Sequence, residues 1–401
     1  MRIGYFTHLY PRATDTFIQR EIAALRARGV EVRTFAVRRP GVEHDVGAEV
    51  LAEKSKTYYL LPAGIWRLVA GNISVFFKHP RRFLAALALA LRTRRPGLRG
   101  LALQLAYLQE AILLSIALRR EQILHVHNHL GDNSGTVTLL ASRLTGIGYS
   151  ITIHGPHIFF DPTHWALREK VHYARFIVCI SHYCRSQMML FSDPADWGRL
   201  KIVHCGVDSQ RFRYQDVRPQ VRRLLFTGRL AIEKGVAVLL ESLRDLRARG
   251  YQLELTLLGD GSDRQRLQEL ARRLGIHEHV VFAGYASQRQ LSEHLERSDL
   301  FVLPSFAEGV PVSLMEAMAC GVPVLSTCVG GIAELVEPEQ TGLLVPPADC
   351  AALANAVARY CDDQELRQRI SRQARQTVVV RFNLDTEVDK LTQLFSSSAQ
   401  T

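Results

Sequence analysis

The sequence predicts an α/β protein built as two parallel-sheet domains, and three observations carry that expectation. Short apolar runs such as Arg2 to Thr7, Leu224 to Thr227 and Leu300 to Leu303 each lead through turn residues into a helical pattern, the alternation that makes βαβ units. A polar, charged run from Ser209 to Arg223 reads as a linker between two such series. The 401 residues, 47% hydrophobic and 22% charged, suffice for two cores of ordinary size and exclude wholesale disorder.

The first domain, expected over residues 1–207, opens with strand Arg2 to Thr7. The turn His8 to Ala13 leads to Thr14, the expected N-cap of a helix from Asp15 to Arg28 closed by Gly29, and Val30 to Val37 is the second strand. Between Tyr59 and Arg120 the apolar stretches Ile65 to Phe77, Phe83 to Leu91 and Leu101 to Leu118 alternate with basic clusters. These clusters are Lys78, His79, Arg81 and Arg82, then Arg92, Arg94, Arg95 and Arg99. The alternation fits helices packed on a sheet with a solvated basic face. It equally fits an apolar side laid in a lipid headgroup region with guanidinium groups on anionic lipid. Runs such as Ala111 to Leu118 are too short to span a bilayer.

Ile123 to His129 reads as a strand with His125, His127 and His129 on one face. Three imidazoles at that period can ligate a metal. No acidic or cysteine partner follows at a usual spacing, so no metal is expected. Ile151 to Gly155 is a short strand ending in His154, and carboxyl ends of parallel strands are where open α/β sheets bind ligands. His157 and Asp161 follow in the same loop as weaker candidates. Strands Phe176 to Ile180, capped by Ser181, and Lys201 to His204 complete the domain, with residues 208–223 as its linker to the next.

The second domain, expected over residues 224–380, begins with strand Leu224 to Thr227 and G-R-L-A-I-E-K-G. Gly228 lets the backbone turn, and Arg229 and Lys234 stand beyond the strand end. Two cations there can clamp a diphosphate whose charge rises as a leaving group departs. As plain surface charges they would be poorly placed, because positive residues do not help a helix amino terminus. Leu253 to Leu258 is a strand followed by Gly259-Asp260-Gly261, which lacks the third glycine of the dinucleotide fingerprint. Val280 to Phe282, with Gly284 and Tyr285, comes next; helices Ala351 to Tyr360 and Gln364 to Val378 follow later. In the tail, residues 381–401, Phe382 to Phe395 is helical and Ser396 to Thr401 is expected to fray.

The stretch most informative about chemistry runs from Leu300 to Pro347. Strand Leu300 to Leu303 meets a loop, Ser305 to Val312, and a helix from Ser313 to Cys320 that Gly321 and Pro323 stop. The amide groups and positive dipole end of that helix make a seat for a phosphate. Glu308 in the loop and Glu316 one turn into the helix flank it. Ionised carboxylates accept hydrogen bonds and donate none, so the pair suits the vicinal hydroxyls of a ribose and a hexose. The plainer alternative makes Glu316 a complement to the dipole and Glu308 a solvated loop residue.

In order and spacing, E-x7-E, A-M-A-x-G-x-P-V, GG-I-x-E-L-V and T-G-x-L-V-P closely resemble the donor-site signature of retaining family-four glycosyltransferases. The resemblance implies the GT-B architecture, two Rossmann-like domains facing across a cleft, with a C-terminal helix returning to the first. Glu308 would then hold hydroxyls of the transferred sugar and Glu316 the ribose, with Gly309, Ser313 and Leu314 beside the donor. G-R-x-x-x-x-K-G implies Gly228, Arg229 and Lys234 at the diphosphate, and V-x-F-x-G implies Tyr285 near the nucleobase. T-x-H-G implies His154 beside the donor sugar. The opening Y-P-x-x-T-D-T-F-I-x-x-E-I, the H-x-H strand ending and the G-V-D-x-x-x-F bridge of Gly206, Val207 and Asp208 to Phe212 resemble the same family, the first particularly a branch acting in exopolysaccharide assembly. Thr14, Thr16 and His129 are weak acceptor-side candidates. Relatives carry Ser and Glu where this chain has Thr14 and Asp15, a change that keeps hydroxyl and charge.

The formal charge of +11 calls for a negatively charged partner, which could be nucleotide, membrane surface or nucleic acid. No nucleic-acid module or aromatic-basic interleaving stands out. Seven cysteines without a C-x-x-C pair fit reduced thiols in a cytosolic protein, and MRIGYFTHLY passes directly into a strand without a cleavable signal pattern. The expected function is hexose transfer from a nucleoside diphosphate sugar to a saccharide or lipid-linked saccharide, without metal or other cofactor. The expected place is the cytoplasm or the inner face of its membrane. A lipid-acceptor glycolipid synthase and a non-catalytic sugar-nucleotide or glycan binder are the alternatives.

Overall fold

The central apolar runs become buried strands because strands flank them on both sides and helices cover the sheet, whereas runs such as Val280 to Phe282 end at a sheet edge and stay partly exposed. The computed structural model describes residues 1–399. The chain forms two compact units, Met1–His204 with the segment from Val388 onward, and Cys205–Glu387.

In the first unit the order is β1 (Arg2–Leu9), α1 (Thr16–Ala27), β2 (Glu31–Arg38), α2 (Ala48–Lys56), β3 (Tyr58–Tyr59), α3 (Ile65–Lys78), α4 (Pro80–Arg92), α5 (Gly97–Arg120), β4 (His125–His129), α6 (Asn133–Thr145), β5 (Gly148–Ile153), α7 (Leu167–Tyr173), β6 (Phe176–Cys179), α8 (His182–Leu190) and β7 (Leu200–Ile202). The seven strands lie in the order β3-β2-β1-β4-β5-β6-β7, and every pairing is parallel. The order reverses between β1 and β4, so their carboxyl ends open the crevice in which such sheets bind ligands.

Three expectations change here. Thr14 does not cap α1: its hydroxyl donates to Asp15 Oδ1 at 3.1 Å, and Asp15 takes the N-cap position with its carboxylate ion-paired to Arg12 at 2.6 Å. The run Ala111 to Leu118 is part of the 24-residue α5, long and apolar enough to cross a membrane by length and composition. Half of that apolar window is buried, and α5 packs against α3, α4 and α6 as a core helix. Third, the tail remains helical through Ala399; residues 400 and 401 of the expected frayed end lie outside the described residues.

The second unit contains β8 (Arg223–Thr227), α9 (Val236–Ala248), β9 (Glu254–Leu258), α10 (Arg264–Arg273), β10 (Val280–Gly284), α11 (Gln288–Arg297), β11 (Leu300–Leu303), α12 (Val312–Cys320), β12 (Val324–Thr327), α13 (Ile332–Leu335), β13 (Leu343–Val345), α14 (Cys350–Asp362) and α15 (Gln364–Arg381). Its sheet runs β10-β9-β8-β11-β12-β13, again parallel throughout. The reversal falls between β8 and β11. Residues 208–223, read from sequence as a linker, pack onto this unit. Phe212 is buried, the Gln215 amide donates to the Cys320 carbonyl at 2.8 Å, and Arg218 donates to Asp299 at 2.8 Å.

The last helix, α16 (Leu384–Ala399), starts in the second unit, and from Val388 onward it belongs to the first. There the buried Phe395 ring lies 5.2 Å from His127 and 5.6 Å from His125. The histidine face of β4 is therefore covered by this helix.

Candidate active site

At the switch point of the second unit, the loop after β8 and the loop after β11 hold each other. The Phe306 amide donates to the Glu233 carbonyl at 2.8 Å. Gly235, at φ +64°, lies so near Pro304 that a Cβ there would stand 2.0 Å from its carbonyl oxygen. Only glycine fits that approach and that conformation. The consequence is local: Lys234 Nζ reaches Glu308 Oε1 at 2.6 Å, and Ser305 Oγ donates to the same oxygen at 2.6 Å.

The G-G motif braces this loop from the other side. A Cβ on Gly330, at φ +56°, would meet the Glu308 carbonyl oxygen at 1.9 Å, and the Gly331 amide donates to the Gly309 carbonyl at 2.9 Å. β12 adds two hydroxyls: Thr327 donates to the Ser305 carbonyl at 2.5 Å and Ser326 to the Leu303 carbonyl at 2.7 Å. Glu308 is 6% exposed and Glu316 4%, so Glu308 is a buried, paired carboxylate rather than a solvated loop residue. Such a carboxylate needs its donors, since an uncompensated buried charge is costly.

Helix α12 begins one residue earlier than the sequence suggested, at Val312 after Pro311. Ser313 and Leu314 lie in its first turn, and the buried Glu316 is one turn in. Arg229 stands apart from the Lys234 and Glu308 pair and bridges to Glu233 on its own loop at 2.5 Å. Both cations of the expected clamp are therefore engaged by carboxylates in this state. Tyr285 is half-buried immediately after β10.

In the first unit the parallel register sets Ser150 beside His127 and Thr152 beside His129. His127 lies 2.7 Å from Ser150 Oγ and 2.9 Å from Thr152 Oγ1, and His125 lies 2.8 Å from Ser150 Oγ. These imidazoles are buried core groups satisfied by hydroxyls. Burial lowers the pKa of His127 well below the ordinary imidazole range and that of His125 to about 3.

His129, at the strand's carboxyl end, is placed differently. Its Nε2 lies 3.0 Å from Glu21 Oε1 and its Nδ1 lies 2.7 Å from His154 Nε2. Tyr5 donates to the same Glu21 oxygen at 2.7 Å. Phe17, one helical turn before Glu21 on α1, packs against the His154 ring with centroids 4.6 Å apart. Burial, then the neighbouring His129 and His157, lower the His154 pKa well below the usual range.

The tertiary structure thus brings His129 and His154 together directly, and Lys234 and Glu308 directly. Thr14 is exposed on the turn, Thr16 opens α1, His157 is exposed, and Asp161 is ion-paired with Arg95. The sequence reading missed Glu21 and Ser305. Glu21 is the glutamate of the opening T-D-T-F-I-x-x-E-I motif, and the i, i+4 spacing from Phe17 was the signal that both share a helix face. Glu21 is also the acidic partner that the histidine strand lacked: ligand atoms of Glu21, His127 and His129 lie within 4.8 Å of one another. It arrives from α1, more than a hundred residues earlier.

Comparison with known proteins bears on the fold and the enzyme class. Residues 210–377 match the family model described as glycosyl transferases group 1. The chain is 27% identical over 407 residues to the amylovoran biosynthesis glycosyltransferase AmsK of Erwinia amylovora, covering 96% of each protein. Among solved structures it is similar to a sucrose-phosphate synthase from Thermosynechococcus elongatus, with a TM-score of 0.77, 20% identity, and coverage of 99% of this chain and 98% of that one. The Anabaena protein HepE, solved in complex with UDP and glucose, gives a TM-score of 0.73 at 18% identity, covering 99% of this chain and 100% of that one. The chain is a glycosyltransferase of the GT-B fold, and its second unit carries the glycosyl transferases group 1 domain.

Proposed function

We propose that this enzyme is a retaining, family-four hexosyltransferase that moves a hexose from a nucleoside diphosphate sugar to a saccharide or lipid-linked saccharide during exopolysaccharide assembly. The observation that carries the reading is the buried Glu308, held by Lys234 and Ser305 where β8 and β11 diverge, one loop before α12. A donor diphosphate takes the amino end of α12 and draws Arg229 and Lys234 from their carboxylates. Glu308 and Glu316 then accept hydroxyls of the hexose and ribose, Gly228, Gly309, Ser313 and Leu314 approach the donor, and Tyr285 borders the base. The cations and helix end stabilise the charge that develops on the leaving diphosphate. His154 contacts the transferred sugar, and Thr14, Thr16 and His129 belong to the acceptor side.

Retention by same-face attack is favoured over a glutamyl intermediate. With Lys234 turned to the diphosphate, Glu308 still accepts from the Ser305 hydroxyl and takes hydroxyls of the hexose, which makes it a poor nucleophile, whereas the departing phosphate can take the acceptor's proton on the face it leaves. The test is a donor screen that measures UDP, GDP or ADP release from several activated sugars against a saccharide panel, with the product anomer read by NMR. Release from none of them, in the presence of acceptor, would overturn the reading.

A second reading, transfer to a membrane lipid, is favoured by the surface of α3 and α4. Trp66 is 81% and Phe77 75% exposed, with Ile65, Ile73 and Leu84 also exposed. Lys78, Arg81, Arg94 and Arg99, on the same helices and the turn and helix that follow, are also exposed. Exposed apolar side chains alternating along the sequence with exposed cations fit an anionic headgroup layer, which would put the enzyme in the cytoplasm on the inner membrane face. Liposome flotation with analysis of lipid products separates this acceptor class from the saccharide one.

A further inference from the structure

Glu21, His129 and His154 form a line of hydrogen bonds, with His129 fully buried between two partly buried partners, and its direction is set at one end. Tyr5 and His129 both approach Glu21 Oε1, at 2.7 and 3.0 Å. A carboxylate oxygen can only accept from them, so the His129 Nε2 carries a proton. With one proton on the ring, His129 Nδ1 is then an acceptor, and the atom it meets at 2.7 Å is His154 Nε2. The two rings have centroids 4.9 Å apart and planes only 21° from parallel. With nitrogens so close at that centroid distance, they meet nearly coplanar and edge to edge, the geometry of a good in-plane hydrogen bond.

We propose that Glu21 and His129 are positioning residues that hold His154 in its Nε2–H tautomer, so that Nδ1 of His154 is the nitrogen that accepts a hydrogen bond from a hydroxyl of the transferred hexose. The ring is held on its plane as well as at its edge. Phe17 covers it at 4.6 Å from the same face of α1 that carries Glu21, and Tyr5 packs against His129 at 5.5 Å. A neutral imidazole offers one donor and one acceptor, and the partner of one nitrogen decides the role of the other. Without the relay His154 would sample both tautomers, and in one of them it would present N–H where a lone pair is needed. This inference deepens the proposed function and rests on its placement of His154 beside the donor sugar.

The experiment uses the full chain labelled with ¹⁵N at histidine and long-range ¹H–¹⁵N correlation of the ring nitrogens, with signals assigned through His129→Gln and His154→Gln. The expected wild-type result is a protonated Nε2 and an unprotonated Nδ1 at both His129 and His154. Glu21→Ala should leave His154 as a mixture of tautomers. Glu21→Gln, whose carbonyl can still accept from His129, should restore the single one. On the donor that the screen identifies, Glu21→Ala should lower kcat about 10- to 100-fold, by analogy with the loss of a partner that orients a metal-binding histidine. KM for the donor should change less than about threefold, with Glu21→Gln recovering most of the rate.

A wild-type His154 protonated at Nδ1, or a tautomer indifferent to Glu21→Ala, overturns the relay even if the enzyme turns over. So does stoichiometric bound metal that is lost in His127→Gln, because a metal on Glu21, His127 and His129 would occupy the nitrogens the relay uses. Because tautomers are read without donor, absence of turnover with every donor sinks the proposed function and leaves the tautomer result to be judged separately.

Discussion

Lys234 and Glu308 are 74 residues apart in sequence and joined by a 2.6 Å ion pair, at the place where the two central strands of the second sheet part. The side chains are 20% and 8% exposed, so the pair is mostly withdrawn from water. Removing one member of a buried pair strands the other charge and costs on the order of 3 kcal/mol. Lys234→Ala and Glu308→Ala are each expected to destabilise the protein by about that amount or less. The double variant should cost less than their sum by about 1 kcal/mol. Urea unfolding of all four proteins measures the coupling, and strict additivity would show that the pair is incidental. Each single variant should also lower kcat/KM for the donor at least about 100-fold.

Gly330→Ala tests the brace behind that pair. The new Cβ would stand 1.9 Å from the Glu308 carbonyl oxygen in a backbone conformation at φ +56°, so the conformational cost of about 1–2 kcal/mol comes with a displaced Glu308 loop. Activity should fall at least about 10-fold. The melting temperature should drop by several degrees. Activity equal to wild type would mean that the loop can yield without moving Glu308.

Lys170 gives a pH dependence whose sign is fixed. Its side chain is buried, and Nζ donates to the Gly131 and Asp132 carbonyls at 2.7 and 2.8 Å. Burial lowers its pKa from 10.5 to about 7, partly offset by Asp132. Between those values the unfolded chain holds a proton that the folded chain releases, so this group makes stability rise with pH from about 7 toward 10.5. Below about 7 both states are protonated and the penalty is complete. The difference in unfolding free energy between wild type and Lys170→Met should therefore shift in favour of wild type from pH 7 to pH 9.5. A pH-independent difference would contradict the lowered pKa.

Phe395 tests the last helix. Its ring is 1% exposed among His125, His127 and Phe176, and truncating such a phenylalanine costs about 3–5 kcal/mol. Phe395→Ala should lower the melting temperature of the first unit and raise amide exchange in β4 and β6. Unchanged exchange there would show that α16 is dispensable to that sheet.

The apolar surface of α3 and α4 predicts a lipid preference. Wild type should float with vesicles containing anionic lipid and remain behind with neutral ones, and Trp66→Ser with Phe77→Ser should weaken flotation by at least about fivefold without altering the melting temperature. Salt should weaken the binding as well, since the cations lie outside the core. Equal flotation on neutral vesicles would remove the basic cluster from the account.

Much of this molecule was legible in the chain because it depends on local rules. Each apolar run flanked by turn residues became a parallel strand, and G-R-L-A-I-E-K-G and the stretch around Glu308 fell at strand ends, where the binding residues of such sheets stand. Boundaries moved where a side chain had another use: Asp15 rather than Thr14 takes the N-cap position of α1, and both the Thr14 hydroxyl and Arg12 are bound to it. The linker was misread for a related reason. Its charges looked solvated, but Arg218 has Asp299 as a partner more than eighty residues later.

Sequence by itself determined the two α/β units, the helix that follows the Glu308 loop and the acidic and basic residues near its start, since periodicity, turn chemistry and motif spacing are properties of neighbouring residues. Only the tertiary structure decided that Lys234 closes on Glu308, that Gly330 braces that loop, that Glu21 reaches His129 and that His129 meets His154. Those contacts join segments whose spacing along the chain carries no information about distance; they exist because the sheets set strand ends side by side and leave buried charges and imidazoles no water to turn to.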